Sequence, residues 1–353
     1  MSRRRARAKH HHIETSVSSM TIQSVSEIFV GSVSEGLDKL LPQHRVVVIA
    51  DATIDRLYHD LISRYDNIII GQGEANKGLD TVLSIYSRLM ELGADRSTFL
   101  LGVGGGIVTD ITGFVASTFM RGLDFGFVST TLLGQVDASI GGKNGVNIHG
   151  YKNMAGTFAH PRFIIADVDM LRTLPRREQR AGMAEVVKAA VIGDAALFEM
   201  LEANVSEDIY SKRDIMQEIV LRSMRLKLDI VERDDKERGL RRILNLGHTI
   251  GHAIEKCRRD VNHGEGVAIG LSLMAHAAVK RGFMAAEDAE RIDSLLSTLG
   301  FTLIPPVSMT EITRVVRYDK KKQNNILHIV LPEGIGRCRI EEIEIDEFET
   351  LFA

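Results

Sequence analysis

Short apolar runs alternate with helical segments through the first half of this 353-residue chain, and no other feature limits its fold as strongly. The runs cover residues 46–51, 67–71, 98–103, 125–128 and 163–167, and the clearest helical interval covers 79–92. Such runs are typical of buried strands in a parallel sheet. The pattern predicts an α/β fold with a Rossmann-like sheet, in which ligands bind at the carboxyl ends of the strands.

Three consecutive glycines, Gly104, Gly105 and Gly106, follow one of these runs and lead directly into a predicted helix. Glycine lets a ligand approach the backbone closely, and the N–H groups at a helix start favour a pyrophosphate. The turn therefore suits a dinucleotide. It lacks the Gly-x-Gly-x-x-Gly pattern, so a simple tight turn between strand and helix explains the glycines equally well.

A segment dense in polar residues covers 135–153, and a hydrophobic core would reject it. Lys143 and Lys152 lie in this segment among several glycines. In a glycine-rich loop, two ammonium groups suit an anionic phosphate or carboxylate. Two solvated lysines on a turn are the alternative interpretation.

The second half of the chain reads mainly as long helices, beginning after Leu174 and Pro175, and the length fits about two domains. We expect an NAD-binding α/β domain over residues 16–175 and a mainly α-helical metal- and substrate-binding domain over 176–353. Residues 1–15 are basic and contain three consecutive histidines with no apolar segment after them. We interpret them as a disordered extension.

Histidines with metal-site spacing occur near residue 250. His248 and His252 are four residues apart in a helix-compatible run, and His263 follows a short polar connection. Two imidazoles on one helix face suit Zn²⁺ when further ligands are available. Incidental histidines on a surface helix are the alternative. Glu185 can supply a carboxylate, because its neighbours in the run to Lys188 are apolar and favour burial over a surface ion pair.

Composition excludes several classes of protein. A formal net charge of −3 gives no reason to expect nucleic-acid binding, and no apolar run is long enough to cross a membrane. Cys257 and Cys338 are the only cysteines and form no Cys-x-x-Cys pattern, which favours a reducing, cytoplasmic location.

The ordered motifs together resemble the 3-dehydroquinate synthase family of sugar phosphate cyclases from about Ser24 onward. The motifs are Gly-Gly-Gly-Ile-Val-Thr-Asp110, Phe119-Met-Arg-Gly122, Thr130-Thr-Leu-Leu-Gly-Gln-Val-Asp137, Gly141-Gly-Lys-Asn-Gly-Val-Asn147, Ala184-Glu-Val-Val-Lys188, Asn245-Leu-Gly-His-Thr-Ile-Gly-His252 and His263-Gly-Glu. The resemblance implies a dehydroquinate synthase-like fold and a homodimeric enzyme that uses NAD and Zn²⁺ or Co²⁺.

The implied reaction converts 3-deoxy-D-arabino-heptulosonate 7-phosphate to 3-dehydroquinate and phosphate, as part of the shikimate pathway. It proceeds by transient oxidation, elimination of phosphate, reduction, ring opening and aldol closure. The implied metal ligands are Glu185, His248 and His263, so His252 becomes a substrate contact rather than a ligand.

The resemblance also assigns the remaining site residues. The implied catalytic residues are Asp137, Lys143, Lys188, Asn245 and His252. The implied substrate contacts are Lys143, Asn153, Lys227, Arg241, Asn245, His252, a lysine of the run that starts at Lys320, and Arg121 from the partner subunit. The implied NAD contacts are Asp51, Glu74, Lys77, Gly105, Gly106, Asp110, Thr130, Thr131, Lys143, Lys152, Thr173 and Glu178.

Three other functions compete with this one. Another sugar phosphate cyclase, such as 2-deoxy-scyllo-inosose or 2-epi-5-epi-valiolone synthase, would share the chemistry but not the carboxylated substrate. An NAD-dependent metal alcohol dehydrogenase would release NADH, whereas the cyclases return the hydride. A non-catalytic NAD-binding protein is the third.

Overall fold

The computed structural model describes residues 19–206, 209–320 and 325–352. The predicted extension over 1–15 lies outside these residues, as do Lys321 and Lys322, and the side chain of Lys320 is not described.

A seven-stranded sheet organises the first half of the chain. Its strands are β1 (Met20–Gln23), β2 (Glu27–Val30), β3 (Val46–Asp51), β4 (Asp66–Ile70), β5 (Phe99–Gly104), β6 (Phe125–Ser129) and β9 (Phe163–Ala166), in the order β1-β2-β9-β6-β5-β3-β4. All neighbours pair in parallel except β1 and β2, which are antiparallel. The predicted parallel sheet is confirmed, and the two N-terminal strands add to it.

Helices cover both faces of this sheet. They are α1 (Val33–Leu40), α2 (Ala52–Leu57), α3 (His59–Ile62), α4 (Leu79–Glu91) and α5 (Gly106–Thr118). Along β3, Val46 and Val48 belong to the apolar cluster of one face, whereas Val47 and Ile49 belong to the cluster of the other face. Such strands are buried on both sides, which explains their uninterrupted apolar sequences.

The polar segment predicted as a glycine-rich loop forms instead a π-helical turn (Gly134–Ala138) and an antiparallel hairpin of β7 (Lys143–Ile148) and β8 (Tyr151–Phe158). Gly145 and Gly156 face each other across this hairpin, and a Cβ on Gly156 would lie 2.7 Å from the carbonyl oxygen of Asn144. The glycines therefore permit close pairing of the two strands.

The second half is mainly helical, as predicted. It contains α6 (Arg176–Gly193), α7 (Ala195–Asn204), α8 (Arg213–Arg233), α9 (His248–Cys257), α10 (His263–Lys280), α11 (Ala286–Thr298) and α12 (Met309–Lys320), then a hairpin of β10 (Ile326–Gly334) and β11 (Arg337–Glu344). One apolar cluster extends from Ile22 to Leu351 through both halves. The domain division at residue 175 stays a prediction. None of the described helices combines the length and apolarity needed to cross a membrane.

Glycines bring three of these helices into close contact. Helices α9 and α10 meet where Gly251 faces Gly266 and where Gly247 faces Gly270. A Cβ on Gly270 would lie only 2.0 Å from the carbonyl oxygen of Gly247. Gly264 packs in the same way on Ala181 of α6. This backbone contact fixes the position of the residues that begin α9 and α10.

We predict that Gly270→Ala lowers the free energy of unfolding by at least about 2 kcal/mol, because the added methyl group cannot fit without moving α9. Chemical denaturation would measure the change. Gly78→Ala is the matched control, because a Cβ there meets nothing nearer than 3.9 Å. Equal losses in the two variants would show that the close contact does not stabilise the fold.

Candidate active site

The carboxyl edge of the parallel sheet collects most of the predicted nucleotide-binding residues. They lie at or after the ends of the parallel strands: Asp51 at the end of β3, Glu74 and Lys77 after β4, Gly105, Gly106 and Asp110 after β5, Thr130 and Thr131 after β6, and Thr173 and Glu178 after β9. Parallel topology therefore brings together segments that are far apart in sequence.

The glycine turn leaves the start of α5 open. Gly105 is the N-cap residue of α5 and offers no side-chain cap to its first N–H groups. A Cβ on Gly105 would lie 2.8 Å from the Thr131 side chain, and one on Gly106 would lie 3.2 Å from Ala138. The buried hydroxyl of Thr130 has no hydrogen-bond partner among the described residues. The uncapped N–H groups at the start of α5, together with the unpaired Thr130 hydroxyl, fit the pyrophosphate of a dinucleotide.

Lys77 connects this edge to the β7–β8 hairpin. Its ammonium group contacts the Asp110 carboxylate and donates to the side-chain oxygen of Asn153 at 2.6 Å. Asn147 of the hairpin donates to Glu74 at 2.9 Å. Burial raises the pKa of Asp110 to about 6, although Lys77 acts in the opposite direction. Asn153 therefore contacts a predicted nucleotide-binding lysine in this structure.

A buried ion pair continues the site into the helical half. Lys227 of α8 donates to both the carboxylate and the carbonyl oxygen of Asp137 at 2.6 Å. Burial disfavours the charge on Asp137, yet Lys227 and Lys188 lower its pKa. The π-helical turn thus places one carboxylate between two lysines of different helices.

Glu185, His248 and His263 form the centre of the helical half. Glu185 is 2% exposed and its carboxylate pairs with Lys188 one helical turn away. Its Oε1 lies 3.1 Å from Nε2 of His263 and 3.6 Å from Nε2 of His248. Helices α6, α9 and α10 each contribute one of these three groups.

This donor set fits a divalent metal. Bonds of about 2.0–2.1 Å to a tetrahedral Zn²⁺ hold neighbouring donors about 3.3–3.4 Å apart, close to the two distances measured from Glu185. Burial, with Lys188, lowers the pKa of His248 to about 3, whereas hydrogen bonds to Glu185 and Glu255 raise the pKa of His263 to about 10 against the effect of burial. A metal would bind the neutral ring of His248 directly and would displace the Nε2 proton of His263. Two imidazoles and one carboxylate are a set found in catalytic zinc sites.

His252 does not complete the ligand set suggested by its spacing from His248. Both rings lie on one face of α9, with centroids 5.2 Å apart, but they meet edge to face at 86°. The structure groups His252 with Glu255 and His263 instead. His252 is exposed beside the cluster, as a substrate contact would be.

Two acidic residues that the sequence analysis missed complete the site. Glu237 has a positive φ of 55° and contacts the Lys143 ammonium group, while the Asn245 side-chain amide donates to it at 2.7 Å. Glu255 bridges Lys152 and His263. Glu255 could have been predicted from sequence, because His248, His252 and Glu255 have the spacing i, i+4, i+7 and so share one face of a helix.

Arg241 is buried and already bound within the chain, with its guanidinium donating to the carbonyl oxygens of Gly141 and Asp235. Arg121 is exposed after the end of α5, which runs away from the carboxyl edge of the sheet. Thr173 hydrogen-bonds to Tyr58 at 2.8 Å, and Glu178 is exposed in the first turn of α6. These four residues make no contact with the metal cluster that the structure describes.

Solved structures with the same architecture include two sugar phosphate cyclases. One is a 2-epi-5-epi-valiolone synthase from Streptomyces hygroscopicus with NAD⁺ and Zn²⁺ bound: TM-score 0.83, 26% identity, covering 93% of this chain and 96% of that one. The other is a 2-deoxy-scyllo-inosose synthase complexed with carbaglucose-6-phosphate, NAD⁺ and Co²⁺: TM-score 0.84, 24% identity, covering 95% and 99%. The fold is therefore that of the sugar phosphate cyclases.

Sequence comparison defines the family. Residues 67–181 match the family described as 3-dehydroquinate synthase N-terminal, and residues 182–322 match 3-dehydroquinate synthase C-terminal. A 3-dehydroquinate synthase from Pelobacter propionicus is 39% identical over 318 residues, which cover 87% of this chain and 89% of that protein. The chain belongs to the 3-dehydroquinate synthase family, as its motifs predicted.

We predict that Asp137→Asn lowers the free energy of unfolding by about 3 kcal/mol, because it leaves the buried Lys227 ammonium without its carboxylate. Denaturant titration would measure the loss. Asp229→Asn is the matched control, since the Asp229 to Arg233 pair is 67% and 61% exposed. An Asp137→Asn variant as stable as the control would contradict a stabilising role for the buried pair.

Proposed function

We propose that this protein is a 3-dehydroquinate synthase that converts 3-deoxy-D-arabino-heptulosonate 7-phosphate to 3-dehydroquinate and phosphate. The observation that carries the proposal is the cluster of Glu185, His248 and His263, with the Asp137 to Lys227 pair beside it. Family membership over most of the chain supports it.

NAD and Zn²⁺ or Co²⁺ are the proposed cofactors. Glu185, His248 and His263 would hold the metal, which supplies a Lewis acid that makes hydroxyl groups of the substrate more acidic. The proposed NAD site is the carboxyl edge of the sheet, with the pyrophosphate at Gly105 and Gly106 and the other contacts as predicted from sequence. The proposed domains are residues 16–175 for NAD and 176–353 for metal and substrate.

The proposed substrate contacts fall into three groups, for the carboxylate, the hydroxyls and the phosphate of the substrate. We assign Lys227 and Arg241 to its carboxylate, and Asp137, Lys188, Asn245 and His252 to its hydroxyls. Lys143 and Asn153 on the hairpin would bind its phosphate, together with a lysine of the run that starts at Lys320, whose side chains lie outside the described part of the chain. Loss of phosphate requires cations on the leaving oxygen atoms, and the Lys143 ammonium group offers one. The elimination also needs a proton acceptor, for which the phosphate of the substrate itself is a candidate.

We predict that the purified protein with NAD⁺ and Zn²⁺ or Co²⁺ releases phosphate from this substrate without net formation of NADH. Glu185→Ala should lower the rate at least 100-fold, because it removes a metal ligand. A phosphate assay with parallel absorbance measurement of NADH would test both points. His276→Ala, an exposed histidine of α10, is the control and should keep full activity.

Three outcomes would contradict this proposal. Phosphate release that a chelator leaves unaffected would exclude the metal role. Accumulation of NADH would indicate an alcohol dehydrogenase. Faster turnover of glucose 6-phosphate or sedoheptulose 7-phosphate than of the carboxylated substrate would indicate another cyclase.

A homodimer in which Arg121 reaches the partner's site is part of the proposal. Helix α5 begins at the carboxyl edge with Gly106, and its 13 residues carry the chain about 20 Å to the opposite edge before Arg121. Arg121 is therefore far from the glycine turn of its own chain. Its exposed neighbour Met120 supplies apolar surface for a contact between subunits.

Mixing two inactive variants would test this arrangement. Arg121→Ala and Glu185→Ala should each be inactive alone, whereas exchanged subunits in equal amounts should recover about a quarter of wild-type activity, since each mixed dimer contains one complete site. No recovery after verified exchange would show that Arg121 acts within its own subunit. Separate variant preparations incubated without exchange are the control.

We also propose a cytoplasmic location, with small molecules rather than nucleic acid or membrane as partners. Both cysteines are free, as expected in a reducing compartment. Cell fractionation would test the location.

A further inference from the structure

The two ring nitrogens of His263 face two different carboxylates. Nε2 lies 3.1 Å from Glu185 Oε1, on the side of the proposed metal, while Nδ1 lies 3.0 Å from Glu255 Oε1. The orientation of the ring is therefore determined from both sides.

Glu255 is held where it can act on His263. Its side chain is only 7% exposed, and its second oxygen accepts a hydrogen bond from the Lys152 ammonium group at 2.7 Å. The carboxylate is thus fixed at both oxygen atoms. His248 has a different second partner, the carbonyl oxygen of Leu246 at 3.2 Å from Nδ1.

We propose that Glu255 is a positioning residue of the metal site, accepting the Nδ1 proton of His263 so that Nε2 presents its lone pair to the metal. This inference rests on the proposed function, which requires a metal at Glu185, His248 and His263. A neutral imidazole carries its proton on one nitrogen only, so an acceptor at Nδ1 selects the tautomer that can bind through Nε2. An anionic acceptor also makes the ring a stronger ligand.

The contact of Lys152 with Glu255 is independent of the contact between Glu255 and His263. Lys152 lies on β8, whereas Glu255 and His263 lie on α9 and near the start of α10, so the Lys152 contact joins the hairpin to the helical half. Removing the ammonium group would leave the hydrogen bond between Glu255 and His263 in place. The two contacts of Glu255 can therefore be tested independently.

Zn²⁺ affinity of the metal-free full-length protein, measured by competition with a chromogenic chelator, tests the proposal. Glu255→Ala should weaken binding about 10- to 100-fold, and Glu255→Gln about three- to tenfold, because glutamine keeps an acceptor but loses the charge. Lys152→Met should change the affinity less than about threefold. Glu290→Ala, an exposed glutamate of α11, is the matched control and should match the wild type. The visible spectrum of the Co²⁺-loaded protein provides a second readout of ligand geometry.

The outcomes separate this proposal from the function on which it rests. If the wild type fails to bind Zn²⁺, the proposed function is wrong. If the wild type binds but folded Glu255→Ala binds within twofold of it with an unchanged Co²⁺ spectrum, the positioning role is overturned. A loss in Lys152→Met equal to that in Glu255→Ala would assign the effect to the hairpin contact instead. Should Glu255→Ala fail to fold, Glu255→Gln decides, and wild-type affinity in that variant would overturn the proposal.

Discussion

The buried carboxylate of Glu185 is the constraint on which the active-site half of the structure depends. An ionised carboxylate with a side chain 1% exposed would be very costly without compensating groups. Lys188 compensates it from the same helix, and His248 and His263 reach it from two others. Those helices can approach only because glycines meet at their contacts. Neutralisation of the Glu185 carboxylate therefore depends on close helix packing, and the packing depends on that neutralisation. A divalent metal bound here would also compensate the charge of Glu185.

The β7–β8 hairpin connects the predicted nucleotide-binding edge of the sheet with the proposed metal site of the helical half. Asn147 and Asn153 contact the segment that follows β4, whereas Lys143 and Lys152 contact acidic residues of the helical half. The sheet positions the predicted nucleotide-binding turn, and the helices position the proposed metal donors. Antiparallel pairing gives the hairpin a defined register, so both sets of contacts are held at once.

The sequence predicted the sheet well because each parallel strand is buried on two faces and must be apolar throughout, as β3 and β5 are. It did not predict the hairpin, since β8 is largely exposed and lacks the uninterrupted apolar sequence of a strand buried on both faces. Glu185, His248 and His263 came from motifs, and the structure brings them together. Glu237 was missed because its carboxylate reaches Lys143 through a backbone turn with positive φ, which no local pattern indicates.

The internal ion pairs of four lysines in the candidate site affect how a ligand would be exchanged. Lys77, Lys143, Lys152 and Lys227 are each already paired with a carboxylate of their own chain. On the proposed assignment, an incoming anion would replace the internal carboxylate as the partner of each lysine, so each exchange would contribute only a small net free energy. Such a site would bind a ligand with several anionic groups and still release a single phosphate ion. The lysine that held the phosphate would pair again with the carboxylate of its own chain.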